Sequence, residues 1–274
     1  MSDIVLSAGV RSNLLQLQQT SDLINQTQNK LATGKKVNSA LDNAINFFTA
    51  QGLDTRANNL NSLLDSMSNG VSTIQAANNG LTSITKLVQS AQALVSQAQQ
   101  AGNTVTQATL ATQFDTLLTQ IGQLAGDSGF NGVNLLAGNT LTVTLNDTAT
   151  STISVAGIDY TNASGAGLSI AGAANNWAAG SDITTASTAL STALTRLQSE
   201  SQTLSSSLST VQIRQDFTKA TINTLQSGSA ALTLADSNQE GANLLALQTR
   251  QQLSSTALSL ASQADQAVLR LFQG

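Results

Sequence analysis

An apolar seam in alternating steps of four and three runs through the first half of the chain. It passes Leu53, Ala57, Leu60, Leu64, Met67, Val71, Ile74, Asn78, Leu81, Thr85, Val88, Gln92 and Val95. An α-helix returns the same face at that spacing, and a sustained seven-residue repeat needs a second helix packed along it. The segment predicts a rod of roughly 80 Å, at about 1.5 Å per residue. Gly70 and Gly80 each lower helix propensity by about 1 kcal/mol, which leaves room for a kink at either. A matching seam runs Leu190, Leu194, Leu197, Ser201, Leu204, Leu208, Val211, Gln215, Thr218, Ile222, Leu225. Two long helices separated by an insert pack antiparallel, as in a bundle.

Shorter seams lie outside and between them. Val10, Leu14, Leu17, Ser21, Ile24, Gln28 and Leu31 share one face of a first helix. Gly34 stands where a C-cap is expected, with Lys35 and Lys36 near the negative end of the dipole. Ser39, three residues before Asp42, reads as the N-cap of the next helix. After the turn Ala101-Gly102-Asn103, a shorter helix carries Leu110, Phe114, Leu117, Ile121 and Leu124. The last helix has two apolar lines. One is Leu253, Ala257, Leu260, Ala264, Ala267, Leu271; the other is Leu244, Leu247, Leu258, Ala261, Val268, Phe272. Two lines on one helix imply two sets of partners.

Between 126 and 186 Gly, Asn, Thr and Ser dominate, and LTVTLN (141–146) and STISV (151–155) alternate as strands do. A hairpin around Asn146-Asp147 is expected, pinned by Tyr160 and Trp177. The fold class is mainly α: a long antiparallel helical bundle whose terminal helices form a coiled coil, plus a small β-rich insert. The expected divisions are 1–42 and 233–274 for the two halves of a coiled-coil core, 43–138 and 186–232 for the helical rod, and 139–185 for a variable surface domain.

The chain contains no His, Cys or Pro. Without His the commonest general base and transition-metal ligand are missing, and without Cys there is no thiolate chemistry or disulfide framework. The carboxylates Asp236 and Glu240 share a helix face but lack a third partner. No catalytic, cofactor or metal site is expected. Charged residues make up 9% and the net charge is −4, which argues against nucleic-acid binding. From 87 to 195 there are five Asp and no Lys or Arg, a stretch of net −5 read as solvent-facing surface. No run of 18 apolar residues spans a membrane, and the N-terminus lacks the basic start and apolar core of a Sec-type signal. On those signals alone the chain would be placed in the cytoplasm. The lack of Pro removes slow X–Pro isomerisation and suits a chain that must refold quickly.

Three motifs carry a family resemblance. NKLATGKKVNSALDN (29–43) resembles the N-terminal signature of bacterial flagellins. EGANLLALQTRQQL (240–253) and ALSLASQADQAVLRLF (257–272) resemble the family's C-terminal end, and GFNGVNLL (129–136) its turn after the third helix. The likeness covers about 1–138 and 186–274, and the compact size with Phe47-Phe48 is most similar to the short flagellins of alphaproteobacteria.

The resemblance implies a structural subunit, not an enzyme, secreted and polymerised into the extracellular flagellar filament used for swimming. It implies terminal helices that are disordered in the free monomer and ordered in the polymer. The assembly interface would comprise Val10, Leu14, Leu17, Ile24, Leu31, Leu253, Leu258, Leu260, Val268, Leu271 and Phe272. Arg11, Lys30, Lys35 and Lys36 would pair with Asp236, Glu240 or Asp265 across subunits. The implied partners are further copies of the chain, hook-associated and cap proteins, an export chaperone and the flagellar secretion apparatus. A hook–filament junction protein of the same superfamily is the alternative; an adhesin or enzyme carried on the insert fits worse. One departure stands out. Ser90, Gln92 and Ala93 occupy the stretch where many members carry two Arg and a Glu read by toll-like receptor 5, so weak or no activation of that receptor is expected.

Overall fold

The computed structural model describes residues 8–273, except the side chains of Asp265 and residues 268–273. Five helices and one hairpin follow in the order α1 (Ala8–Thr33), α2 (Ala44–Gln100), α3 (Thr104–Asp127), β1 (Thr140–Thr144), β2 (Thr152–Ala156), α4 (Gly180–Thr233) and α5 (Ser237–Gln273). They form two compact units, 56–223 and the joined terminal segments 1–55 with 224–274. Both α2 and α4 contribute to each.

In the larger unit the long seams are buried as the heptads require. Met67, Ile74, Ile84, Val88, Leu190, Leu204 and Val211 are all fully enclosed. The register of α2 against α4 is antiparallel: Ser201 Oγ donates to Asn78 Oδ1 at 3.5 Å and Gln215 Nε2 donates to Ser68 Oγ at 3.1 Å. A second stripe on α2, including Ala77, Ala91 and Ala98, is equally buried. With two buried stripes, α2 has neighbours on two sides.

The insert packs onto this rod. β1 and β2 pair antiparallel, with Leu141 opposite Val155 and Val143 opposite Ile153. Leu141, Val143 and Val155 face inward while Thr140, Thr142, Thr152 and Ser154 face water, as period-two alternation demands. The Asn146 amide donates to the Thr148 and Thr150 hydroxyls at 2.8 and 2.7 Å, closing the hairpin loop. Arg56 on α2 reaches Asp147 at 3.2 Å. The helix α2 runs unbroken through Gly70 and Gly80. A Cβ at Gly70 would stand 2.6 Å from Val143 Cγ2, and one at Gly80 would be 2.7 Å from Leu136 Cδ1. The glycines are there to admit the insert, a close approach that their missing side chains permit.

The turn at 129–136 is held by Asn134. Its buried amide donates to the carbonyls of Ala125 and Gly126 at 2.8 Å each, and its Oδ1 accepts from the Leu136 N–H at 2.9 Å. It thereby caps the end of α3, where the Ala125 carbonyl also accepts from the Ser128 N–H at 3.3 Å. Trp177 is fully buried with its ring centroid 5.0 Å from that of Phe114, and Tyr160 is 1% exposed. Asn175, Asn176 and Trp177 take φ of 49°, 49° and 58°, a left-handed run that turns the indole into the core. The conformation costs ~1–3 kcal/mol per residue, opposed by the burial of a large aromatic.

In the terminal unit α1 packs along α5. The junctions at their adjoining ends are tied together: Lys35 bridges Leu234, Lys36 N–H donates to Thr233 O at 2.7 Å, and Ala235 N–H donates to Gly34 O at 2.9 Å. Gly34 has φ +67°, the left-handed C-cap expected of it. The N-cap of α2 is Asn43, not Ser39. Asn43 Oδ1 accepts from the Asn46 N–H at 2.9 Å, while Asp42 Oδ2 accepts from the N–H groups of Asn38 and Ser39, closing a turn ahead of the helix.

Candidate assembly interface

Helix α1 shows its partner one face, built from Val10, Thr20, Ile24 and Thr27, all buried, with Leu17, Ser21 and Leu31 half-buried. Two of the four buried residues are threonines. The Thr20 hydroxyl donates to Gln16 O at 2.8 Å, satisfying itself on its own helix. Such a side chain presents only its methyl across an interface.

Of the two apolar lines on α5, one faces α1. Leu244, Leu247, Leu258 and Ala261 are half-buried, whereas Leu253, Ala257, Leu260 and Ala264 face outward. Leu253 is 67% exposed and Leu260 62%. On α1, Leu14 leaves the expected seam at 39% exposure, beside Leu15 and Leu23. In Leu244-Leu245 the second residue is turned about 100° from the first, so Leu244 is half-buried and Leu245 faces outward. Leu245 was legible only in that doubling. Among the described residues of α5 none is buried.

Lys30 Nζ lies 3.7 Å from Glu240 Oε1, in the chain itself where a pairing across subunits was expected. Lys36 Nζ donates to Ala231 O at 3.0 Å. Asp236 Oδ1 accepts from the Asn238 N–H at 2.9 Å and opens α5. Arg11 and Lys35 are exposed. The expectations for Asp265, Val268, Leu271 and Phe272 lie outside the described residues.

Ionisable groups in the larger unit hold structure. Arg196 donates to Ala166 O at 2.8 Å and Ser169 Oγ at 3.0 Å, clamping the segment over Tyr160. Burial first, then the nearby Glu200 charge, push the Tyr160 hydroxyl up to about 12, with Arg196 opposing. Burial likewise raises Glu200. Asp115 lines an open cleft of about 500 Å³ with Thr119, Gln123, Thr161 and Asn162, but its Oδ1 is engaged by the Ala173 N–H at 2.8 Å. Among the described residues no group of His, Cys, Asp or Glu could hold a metal ion, and no helix is long and apolar enough to cross a membrane.

The model of the bacterial flagellin N-terminal helical region matches residues 8–140. Flagellin FljK of Caulobacter vibrioides is 33% identical over 282 residues, covering 100% of this chain and 99% of that protein. Flagellin FljO of the same organism is 30% identical with the same coverage, and a flagellin of Brucella melitensis is 28% identical over the whole of both chains. With relatives aligned end to end, and with terminal helices that pair by one face and expose another, the chain belongs to the flagellin family.

Proposed function

We propose that the chain is a structural subunit that is secreted and polymerises into the bacterial flagellar filament, the extracellular organelle of swimming. The carrying observation is the second apolar face of the terminal helices: Leu14, Leu15 and Leu23 on α1, and Leu245, Leu253 and Leu260 on α5, all exposed while the opposite faces meet each other. A helix of 37 residues without a buried side chain among those described gains little against an ordering cost of ~1–2 kcal/mol per residue. Further copies covering the outer face supply the missing burial, and the terminal helices order fully only there. Relatives that are flagellins and align along their whole length support a filament subunit; a hook–filament junction protein is the alternative.

The chain then works with further copies of itself, with cap and hook-associated proteins, and with an export chaperone and the secretion apparatus that threads it unfolded. The segment 139–185 stands on the filament surface. Ser90 and Ala93 are exposed on α2 where an Arg-rich receptor patch is expected in other members, so toll-like receptor 5 responds weakly or not at all. A reporter-cell assay matching an enteric flagellin in potency would contradict that.

Assembly is tested by seeding purified chain and viewing it in the electron microscope. Long helical filaments are expected, and deletion of residues 260–274 abolishes them. Normal filaments from the truncated chain would overturn the role given to α5.

A further inference from the structure

Two exposed apolar patches outside the terminal helices each carry a charge, and the two charges are opposite in sign. The first lies where the chain enters α2. Leu41, in the turn just ahead of α2, is 98% exposed, and on the first turns of the helix Ile45 is 79% exposed and Phe48 61%. Phe48 is steadied edge-on by Phe47, with ring centroids 5.5 Å apart. Beside Leu41 stands Asp42. Its Oδ2 takes the N–H groups of Asn38 and Ser39, which hold the carboxyl below its usual range, while Oδ1 has no partner among the described residues.

The second patch is on α4. Ile213 is 66% exposed and Phe217 62%, one helical turn apart. Arg214 sits between them, exposed and without an ion pair or hydrogen bond among the described residues. The neighbouring Asp216 is answered by Lys219 at 3.6 Å, so the patch is cationic.

Isolated surface hydrophobics are ordinary, but clusters of this size mark interaction sites. The charges select the occupant. Either patch meeting its own copy would set Asp42 against Asp42 or Arg214 against Arg214, and like charges repel. Joining the two different patches sets opposite charges together, and such a heterologous contact, when it does not close into a ring, propagates as a helical polymer. We propose that Leu41, Ile45 and Phe48 of one subunit pack on Ile213 and Phe217 of a neighbouring copy, with Asp42 Oδ1 facing the Arg214 guanidinium. The proposal rests on the polymer reading above and adds a contact that the terminal helices do not supply.

The chain has no cysteine, so an introduced thiol is unique. Full-length Ile45→Cys and Phe217→Cys variants, tagged for different mass, are mixed, grown from wild-type seeds and oxidised. A mixed disulfide dimer at least about tenfold more abundant in polymer than in dilute monomer is expected, with few homodimers. Filaments in which the mixed dimer is not enriched, or in which homodimers dominate, would overturn the contact. If wild-type chain does not polymerise at all, the filament reading fails and this contact with it. A second arm covers cysteine variants that grow poorly: Ile45→Ala and Phe217→Ala should each slow seeded growth about tenfold, and the double variant no further. Multiplied effects, about a hundredfold in the double, would show that the positions act independently and refute the pairing.

Discussion

The rod and the terminal pair use the same heptad grammar and reach opposite ends. In the rod, every apolar position of the α2 seam from Ala57 to Val95 is buried or half-buried, because α4 and the insert with α3 cover two sides of α2. In the terminal pair one side is covered and the other is not, and Leu253 and Leu260 remain more than 60% exposed. Periodicity tells a helix how many faces to bury; it does not say whether the covering partner lies in the same chain. The rod is self-sufficient, whereas the terminal pair leaves one apolar face uncovered within the chain.

The sharpest break of that comparison changes only the outer face of α5. Leu253→Asp with Leu260→Asp should abolish seeded growth, a loss of a hundredfold or more, while rod unfolding in denaturant stays within about 0.5 kcal/mol of wild type. A rod weakened to the same degree would show that the two regions are not independent. The converse change is Trp177→Ala, which empties the space beside Phe114 and should cost the rod about 3–5 kcal/mol by chemical denaturation. A loss under 1 kcal/mol would mean that the insert does not complete the core.

A smaller effect appears with alkali. Tyr160 has its hydroxyl raised to about 12 in the folded chain, against about 10 unfolded. A group whose folded pKa is raised contributes its stability fully below pH 10 and loses it as pH climbs to 12. The rod should lose about 2–3 kcal/mol across that window, and Tyr160→Phe should lack this part of the decline. Identical pH profiles for both chains would place Tyr160 in contact with water.

Most of the fold was legible because heptads, glycine caps and strand alternation are local patterns with one physical solution. The seams of α2 and α4, the C-cap at Gly34 and the hairpin at 140–156 are of that kind. At Gly70 and Gly80 propensity weighs the backbone alone, whereas their value lies in admitting Val143 and Leu136 from far along the chain. The interface was legible as two apolar lines on α5, but not which line meets α1. That choice depends on small and hydroxyl-bearing neighbours, such as Thr20 and Thr27, that let α1 approach without an apolar signature. Lys30 and Glu240 could equally have met within a chain or between chains, since charge sign carries no address.

The central claim is that the outer face of α5 is covered by other copies. Hydrogen exchange of backbone amides at 245–260, followed in dilute monomer and in filaments at equal pH and temperature, tests it most directly. The account predicts rapid exchange in the monomer and strong protection in the filament, with the rod amides of α2 protected in both. Equal protection of 245–260 in the two states would contradict it.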